Sequence, residues 1–325
     1  MTSGDRIGIG VLGIADIAVR RTIPAIQRCD RLALVAVASR DPVKAASAGR
    51  RFGCAGVVGY ERLLARDDVQ AVYIPLPNSM HVTWTYAALR AGKHVLVEKS
   101  LTADAAAAAQ LAEAARGLAL VENFTFLHHA QHDVVRTLVA DGAIGTPRSF
   151  NAAFGIPSAD AGLIRYRRDL EGGSLRENGC YPIRAAQLYL GADIQVRGAH
   201  LRLDPTLGVD VAGSVLMVDG DGMSAHCEFG LDLGYRNTYS IWGSAGRIEL
   251  DWAFTPPADR PTTLRLYGNS TRGEWTLPPC DQFLAAVTAF AAACGDPAGR
   301  AGPAADAVRQ AGLLESIWRS VRVDA

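Results

Sequence analysis

Three glycines near the amino terminus have a spacing that could bind the phosphate groups of a dinucleotide. Gly8, Gly10 and Gly13 form a G-x-G-x-x-G pattern within the stretch IGIGVLG. In such a site one glycine makes a tight turn, the next lets the backbone approach the pyrophosphate, and the last lets a helix pack on a strand. The chemistry therefore requires the pattern to begin where a strand ends and a helix starts.

The apolar pattern places the first strand across two of these glycines. The apolar residues of IGIGVL predict a strand from about residue 6 to residue 12, so Gly8 and Gly10 lie inside it. The turn glycine is then Gly13, and the residues from it onward form a G-x-A-x-x-A pattern whose alanines are small enough for the same close approaches. The predicted cofactor contacts in this turn are Gly13, Ala15, Asp16 and Ile17.

The second predicted strand ends in side chains suited to a phosphate group. The run LALVAVAS is followed by Arg40, so the hydroxyl of Ser39 and a guanidinium stand side by side at the strand end. NAD-binding proteins carry an acidic residue at that position, whereas NADP-binding proteins carry groups that accept the 2′-phosphate. Because arginine pairs well with phosphate, Ser39 and Arg40 favour NADP(H). The neighbouring Asp41 keeps NAD as an alternative.

The elements that must position these residues change character along the chain. Five apolar runs alternate with helix-like segments over residues 1–123, which is typical of a parallel sheet covered on both faces. After about residue 145 the runs alternate apolar and polar residues, as in SAHCEF, which predicts a largely antiparallel sheet with one solvated face.

We therefore predict an α/β protein with two domains. A Rossmann domain at 1–123 would bind the dinucleotide, and an α/β domain at 124–325 would contain a large, open, mostly antiparallel sheet. The second domain is expected to bind the substrate. Its exposed sheet face is expected to form a homo-oligomer, either a dimer or a tetramer.

Composition argues against several other classes of protein. Lysine plus arginine and aspartate plus glutamate each number 33 in 325 residues, so no net charge attracts nucleic acid or an anionic membrane. The six cysteines have no C-x-x-C or zinc-ligand spacing, which predicts reduced thiols in a cytoplasmic protein. The amino terminus has no signal-peptide pattern, and no apolar run approaches about 20 residues. His128 and His132 have i, i+4 spacing, but no third ligand accompanies them, so no metal is expected.

The stretches VYIPLPNSMH and AGKHVLVEKS resemble the glucose–fructose oxidoreductase, inositol dehydrogenase and MocA (Gfo/Idh/MocA) family. In that family a Pro-Asn…His loop follows the fourth strand and a Glu-Lys-Pro motif ends the fifth. The resemblance spans the whole chain and implies cofactor contacts in both loops and after the next strand. These contacts are Pro75, Leu76, Pro77, Asn78, His81, Glu98, Lys99 and Asn123.

Two positions depart from the family pattern. Ser100 stands where Glu-Lys-Pro has its proline. A proline restricts the backbone of the residue before it, so the serine relaxes the constraint on Lys99. Glu177 stands where the relatives usually have an aspartate; it is one methylene longer and carries the same charge.

Within the family, five segments are similar to the sugar-nucleotide 3-ketoreductases of deoxysugar biosynthesis. They are GVLGIADIA, ENFTFLHHAQH, IRY, GCYPIRAA and FTPPA. This resemblance implies that NADPH is used to reduce the C-3 ketone of a dTDP-linked 3,4-diketo-dideoxyhexose. Where the family often has a histidine, this chain has Tyr181, four residues after Glu177. That spacing puts both on one helical face, and Gly179 and Pro182 are expected to perturb the helix.

The resemblance assigns roles to these side chains. We expect Tyr181 to be the general acid, since an unperturbed phenol, with a pKa of about 10, is protonated at neutral pH. Lys99 would lower the pKa of that phenol and stabilise the alkoxide; Lys99 as the direct proton donor is the alternative. Arginine suits diphosphate and an aromatic ring suits a base, which singles out two residues of IRY. The expected substrate contacts are Lys99, His128, Arg165, Tyr166, Glu177 and Tyr181.

Two other functions stay open. A dehydrogenase of a free sugar or a cyclic diol, of the D-xylose or dihydrodiol type, would share the tyrosine and the lysine. A regulatory protein that binds NADP but has lost turnover would be consistent with Ser100.

Overall fold

The computed structural model describes residues 6–268 and 272–321. The chain forms two compact units. The first runs up to Thr125 and also includes Phe283–Ala311; the second comprises Phe126–Gln282 and the residues from Gly312 onward. The expected boundary after residue 123 lies two residues before this one.

The assignment of residues 283–311 to the second domain was wrong. Val287, Phe290 and Ala291 are buried in one apolar cluster with Ile9 and Val11 of the first strand. Burial of these side chains stabilises the segment on the first unit. The pattern of a helix shows that one of its faces is apolar but does not show which sheet that face covers.

The first unit contains a six-stranded sheet in which every pair of neighbours is parallel. Its strands are β1 (Ile7–Leu12), β2 (Leu32–Ser39), β3 (Ala55–Val58), β4 (Ala71–Ile74), β5 (His94–Val97) and β6 (Leu120–Glu122). The strand order is β3-β2-β1-β4-β5-β6, which is the order of a Rossmann fold. The order reverses between β1 and β4, so the carboxyl ends of these strands are where a ligand is expected.

Helices connect these strands and cover the sheet. They are α1 (Ile23–Arg28), α2 (Pro42–Phe52), α3 (Tyr60–Leu64), α4 (Asn78–Arg90) and α5 (Ala105–Ala114). A π-helix, Ala18–Thr22, precedes α1. The strands are buried almost throughout, which explains why their sequences are continuous apolar runs.

The second unit contains an eight-stranded sheet. Its strands are β7 (Pro147–Gly155), β8 (Gln195–Asp204), β9 (Val209–Val218), β10 (Ser224–Gly230), β11 (Arg236–Gly243), β12 (Gly246–Asp251), β13 (Thr262–Gly268) and β14 (Arg272–Leu277). The order is β14-β13-β12-β11-β7-β10-β9-β8. Among the strands of this sheet in the described ranges, only β7 and β10 pair in parallel, so the prediction of a mostly antiparallel sheet is confirmed.

Burial alternates along these strands as the sequence predicted. In β11, Tyr239 and Ile241 are buried whereas Trp242 is 63% exposed. The remaining α-helices in the described part of the chain are α6 (Gln131–Ala140), α7 (Cys180–Leu190), α8 (Gln282–Gly295) and α9 (Ala301–Ser320). None of the helices in residues 6–268 and 272–321 is long and apolar enough to cross a membrane. All six cysteines lie in these ranges and are free thiols.

Candidate active site

The turn after β1 has the geometry that a bound dinucleotide requires. Gly13 has φ +108°, a conformation that residues with a side chain rarely adopt. Its N–H donates to Ala38 O at 3.0 Å. A Cβ added there would lie 2.7 Å from Leu76 Cδ2, so space and backbone both demand glycine. The tight turn at Gly13 fits the phosphate-binding role assigned to this segment.

The first two glycines of the visible triplet serve packing instead. Gly8 and Gly10 lie inside β1, as predicted. A Cβ on Gly10 would lie 2.6 Å from Leu63 Cδ2, and one on Gly8 would collide with Asp68 O. Both positions are therefore glycine because neighbouring segments approach the strand closely.

The residues after the turn are exposed or half-buried and lead into the π-helix. Asp16 forms an ion pair with Arg20 at the surface. Ala15 O accepts from the N–H of Val19, so this segment is already helical where a phosphate would meet it.

The contacts at the end of β2 differ between the two groups that could bind the adenosine ribose, Arg40 and Asp41. Asp41 Oδ1 accepts from Val43 N at 2.8 Å and Lys44 N at 3.2 Å, so this carboxylate caps the amino terminus of α2. Ser39 Oγ accepts from Asp41 N at 3.1 Å. The exposed Arg40 is hydrogen-bonded to Tyr60. Burial raises the pKa of Tyr60, whereas the charge and the hydrogen bond of Arg40 lower it. The capping role of Asp41 favours Ser39 and Arg40 as the groups that face a ribose phosphate.

A hydrogen-bonded network joins the carboxyl ends of β4, β5 and β6. Glu98 Oε1 accepts from Tyr73 Oη at 2.6 Å and from Asn123 Nδ2 at 2.8 Å. Thr22 Oγ1 in turn donates to Tyr73 Oη at 3.1 Å. Burial raises the pKa of Glu98, while the two hydrogen bonds and the charge of Lys99 oppose that rise. We call Thr22, Tyr73, Glu98 and Asn123 the strand-end network.

Sequence reasoning named Glu98 and Asn123 but missed the other two members of the network. Tyr73 lies in the run AVYI, where a single hydroxyl in a buried strand was the only signal. A buried tyrosine hydroxyl needs a partner, so its presence in a buried strand could have suggested a polar contact at the strand end.

His81 has a different place from the one expected. Its side chain is fully buried. Nδ1 lies 2.8 Å from Ser100 O and Nε2 lies 2.7 Å from Leu76 O. The expectation that His81 contacts the cofactor was wrong, because both ring nitrogens face backbone carbonyls. The ring instead connects the loop after β4 to the segment after Lys99.

The neighbouring loop residues have the exposure that a ligand contact needs. Leu76, Pro77 and Asn78 are half-buried at the start of α4, whereas Pro75 is buried. Lys99 is also half-buried and is joined to Ser100 by a cis peptide bond. Leu101 N donates to Glu122 Oε1 at 2.8 Å, which adds a second tie to this segment.

In the second unit, Tyr181 lies in a perturbed helix, as predicted. Leu175–Gly179 is a π-helix that continues into α7. Pro182 has no N–H to donate to the preceding turn, and π turns often occur at functional sites. A Cβ on Gly179 would lie 2.8 Å from the ring of Phe229, so the glycine permits close packing of the helix on β10.

The ring of Tyr181 is surrounded by three phenylalanines. Its centroid lies 5.9 Å from that of Phe126, 5.3 Å from that of Phe154 and 5.9 Å from that of Phe254. Phe254 lies in turn 5.4 Å from Phe126 and 5.5 Å from Phe154. These distances are typical of favourable ring pairs. We call Phe126, Phe154 and Phe254 the aromatic enclosure; it fixes the direction of a half-buried phenol.

Two of these rings lie in segments that resemble the 3-ketoreductases, but no motif predicts a role for either ring. Phe126 lies in ENFTF and Phe254 in FTPPA. The three phenylalanines come from distant parts of the chain, so only the folded structure shows that they meet.

Two of the predicted substrate contacts come together and one does not. Arg165 and Glu177 are both half-buried, and Arg165 Nη2 lies 3.8 Å from Glu177 Oε1. Tyr166 is only 6% exposed. Its hydroxyl donates to Leu231 O at 3.0 Å and accepts from Ala159 N at 3.2 Å. The expectation that Tyr166 stacks on a base was therefore wrong, because its ring belongs to the core.

The histidines near α6 are held in the neutral form. Burial lowers the pKa of His128, and Arg184 lowers it further. Burial lowers the pKa of His132 to about 3, and its Nδ1 lies 2.9 Å from Tyr239 Oη. No group of three or more His, Cys, Asp or Glu residues in the described ranges has the arrangement to hold a metal ion.

Comparisons with known proteins define the family. Residues 7–122 match the oxidoreductase family with an NAD-binding Rossmann fold, and residues 132–249 match the Gfo/Idh/MocA C-terminal domain. The chain belongs to the Gfo/Idh/MocA family of oxidoreductases, which confirms the resemblance seen in its motifs.

Relatives at high identity extend over the whole chain. The dTDP-3,4-didehydro-2,6-dideoxy-alpha-D-glucose 3-reductase of Streptomyces violaceoruber is 48% identical, covering 97% of this chain and 95% of the relative. A crystal structure of a 3-ketoreductase from Actinomadura kijaniata, in complex with NADP and TDP-benzene, is 43% identical with a TM-score of 0.94, covering 98% of both chains. The D-xylose 1-dehydrogenase (NADP(+)) 2 of Haloferax volcanii is 37% identical over 87% of this chain and 88% of its own.

Proposed function

We propose that the chain reduces the C-3 ketone of a dTDP-linked keto-deoxyhexose with NADPH. The observation that carries the proposal is the phenol of Tyr181, which a π turn and three phenylalanine rings hold in one direction. The glycine turn in the first unit supports a dinucleotide as the source of the hydride. Full-length similarity to dTDP-sugar 3-reductases supports the substrate class.

The cofactor would be held by side chains of the first unit. Bound NADPH would supply the hydride that forms the new C–H bond at C-3. The turn at Gly13 would take the pyrophosphate on backbone N–H groups. Ser39 and Arg40 would take the 2′-phosphate, because a guanidinium matches a phosphate in shape and charge. Glu98 would accept from the nicotinamide ribose, since Tyr73 and Asn123 already orient its carboxyl group.

The remaining predicted contacts have supporting roles in this proposal. Asp16 and Ile17 flank the pyrophosphate, and Leu76, Pro77 and Asn78 flank the nicotinamide. His81 acts indirectly through the two carbonyl groups that its ring faces.

In this proposal Tyr181 is the proton donor and Lys99 is the cation that stabilises the developing charge. As the hydride adds to C-3, the carbonyl oxygen gains negative charge and needs a proton. The phenol of Tyr181 donates it and regains a proton from solvent. The ammonium of Lys99 stabilises the developing alkoxide and the phenolate. Arg165 and Glu177 bind the substrate, with the arginine on the diphosphate, and His128, being neutral, binds a hydroxyl.

A dehydrogenase of free sugars is the second candidate. It is supported by the 37% identity to the D-xylose dehydrogenase of Haloferax volcanii. A dehydrogenase of cyclic diols is supported by 30% identity to the trans-1,2-dihydrobenzene-1,2-diol dehydrogenase of Oryctolagus cuniculus, over 76% of this chain and 74% of the relative. A catalytically inactive NADP-binding protein is the third and rests on Ser100 alone.

The test compares substrates on the same preparation. Oxidation of NADPH is followed with the dTDP-linked 3,4-diketo sugar and with the same sugar without its nucleotide, while reduction of NADP⁺ is followed with D-xylose and a cyclic trans-diol. We expect turnover with the dTDP-linked sugar, and kcat/KM at least about 100-fold lower without the nucleotide. Greater activity on a free sugar or a diol would favour the second candidate. NADPH binding without turnover on any of them would favour the third.

We further propose that the protein is a cytoplasmic homo-oligomer, dimer or tetramer. The free thiols support the location, and the exposed Trp242 and Leu216 on the sheet face support the interface. Light scattering on the wild type and on Trp242→Glu tests this: we expect a smaller species for the variant, and a wild-type monomer would contradict the proposal.

A further inference from the structure

We propose that Asp210 is a positioning residue for Tyr181; the inference rests on the proposed function. Asp210 is the second residue of β9 and is 2% exposed. Its Oδ2 accepts from Ser174 Oγ at 2.7 Å and from Leu175 N at 2.6 Å. A carboxylate from a strand thus holds the first residues of the helical segment that carries Tyr181.

The start of a helix needs such an acceptor. The first N–H groups of a helix have no partner within it, and a side chain at the capping position usually supplies one. Ser174 occupies the capping position but makes no capping bond of its own. Its hydroxyl donates to Asp210 instead. The cap therefore comes from a different element, so it fixes where the helix begins relative to β9.

The backbone before the helix is shaped to admit the carboxylate. Gly173 has φ +120°, and a Cβ there would collide with Asp210 Oδ1. Gly173 O also accepts from Glu177 N at 3.0 Å. The glycine thus allows the carboxylate to reach Leu175 N while the chain turns into the helix.

The segment between Asp210 and Tyr181 could otherwise wind in more than one way. Leu175–Gly179 is a π-helix. Its hydrogen bonds span five residues, one more than those of an α-helix, so a π-helical turn contains an additional residue. Rewinding this turn as α-helix would rotate all later side chains by about 100° and move the phenol away from its present direction. A fixed first turn prevents that rotation.

A second anchor lies further along the same segment. Asn178 Nδ2 donates to Phe154 O at 2.7 Å and to Gly230 O at 2.8 Å. Asn178 holds the end of the π turn on β7 and β10, and Asp210 holds its beginning on β9. The π-helix is therefore fixed at both ends, and Tyr181 lies two residues after its last residue, Gly179.

The charges around Asp210 are consistent with this role. Burial raises the pKa of its carboxyl group, whereas the bonds from Ser174 and Leu175 and the charge of Arg176 oppose that rise. Arg176 itself pairs with Glu171. The carboxylate is thus surrounded by donors and a cation.

The experiment compares two aspartates at opposite ends of β9. Asp219 Oδ1 accepts from Asp221 N at 3.0 Å and Met223 N at 2.8 Å, which is the same capping chemistry in a turn that does not lead to Tyr181. Asp210→Ala, Asp210→Asn, Ser174→Ala and the control Asp219→Ala are measured for kcat, KM, the Kd of NADPH and amide hydrogen exchange.

For Asp210→Ala we expect kcat to fall about 10- to 100-fold, as for a misplaced catalytic group, with KM and the Kd of NADPH within about threefold of wild type. Exchange should accelerate over residues 174–181. Asp210→Asn, which keeps one oxygen acceptor, should recover part of kcat, and Ser174→Ala should lower kcat about threefold. Asp219→Ala should leave kcat and exchange over 174–181 unchanged.

An Asp210→Ala protein with unchanged kcat and unchanged exchange over 174–181 would overturn the proposal, as would an equal loss of kcat in Asp219→Ala. If Asp210→Ala does not fold, Ser174→Ala decides by the same two measurements. If the wild type turns over no keto-sugar, the proposed function fails, and the exchange data still decide whether Asp210 holds the segment.

Discussion

The strand-end network orients Glu98 by hydrogen bonds, whereas the aromatic enclosure orients Tyr181 by contacts between rings. Glu98 is oriented by hydrogen bonds from Tyr73 and Asn123, which lie on or next to neighbouring strands. Tyr181 is oriented by ring contacts with side chains that are far apart in the sequence. Hydrogen bonds direct the lone pairs of a group that binds a polar ligand. Ring contacts orient the phenol through its ring.

Removing the hydroxyl of Tyr181 tests the enclosure most severely. Tyr181→Phe keeps the ring among its three neighbours but removes the proton donor, so we expect a folded protein whose kcat falls about 10²- to 10⁴-fold. Tyr166→Phe is the matched control, since its buried hydroxyl bonds to backbone. It should lose about 1 kcal/mol of stability with kcat nearly unchanged. Equal kcat losses in the two variants would contradict the assignment.

Acid should affect the two regions in opposite directions, because burial opposes charge in both. Burial raises the pKa of Glu98. The contribution of this group to the stability of the folded protein is therefore complete below its unfolded pKa and is lost as pH rises through its folded pKa. The pKa of His132, behind Phe126, falls to about 3. Its contribution is complete above the unfolded pKa of about 6.5 and is lost as pH falls toward 3.

His132 alone should therefore cost about 2 kcal/mol of stability between pH 7 and pH 5. Urea unfolding across this range, on wild type and on His132→Gln, checks the expectation: the variant should show a shallower decline. Parallel declines would show that His132 is protonated in the folded protein.

Opening the enclosure should have a smaller effect on turnover. Phe254→Leu keeps an apolar side chain but removes the ring contacts of Phe254 with Tyr181, Phe126 and Phe154. We expect about a tenfold lower kcat and about 1–2 kcal/mol less stability. Phe290→Leu, in the core of the first unit, should lose similar stability while kcat stays the same. A matching kcat loss there would mean that stability alone governs turnover.

The smallest effect is expected at the strand-end network. Tyr73→Phe removes the hydroxyl between Thr22 and Glu98, so the Kd of NADPH should rise about fivefold. Tyr239→Phe also removes a buried hydroxyl, one bonded to His132 and Tyr189. It should leave the Kd of NADPH unchanged in a fluorescence titration. Equal changes in both variants would remove the distinction between the two regions.

The parts that sequence predicted correctly depend on short segments. The strand over Gly8 and Gly10 and the turn at Gly13 follow from apolar residues within one stretch. The parallel sheet follows from runs that are buried on both faces. Local spacing determines each of these features, so a single sequence is enough to find them.

The parts that were wrong or missed depend on which distant segments meet. Tyr166 lies in the core, where its hydroxyl donates to Leu231 O. His81 is buried between two loops. Asp210 lies 36 residues from Ser174. Motif spacing identifies side chains that can do chemistry, but only the folded chain shows which of them are used to hold others in place.

The most direct measurement follows the hydride itself. NADPH that carries deuterium at the transferred position of its nicotinamide is incubated with the protein and a dTDP-linked 3,4-diketo sugar, and the product is examined by NMR and mass spectrometry. The account predicts one deuterium on C-3 of the sugar, with Tyr181→Phe placing it on the same carbon at a much lower rate. A product without deuterium, or with deuterium at C-4, would contradict it.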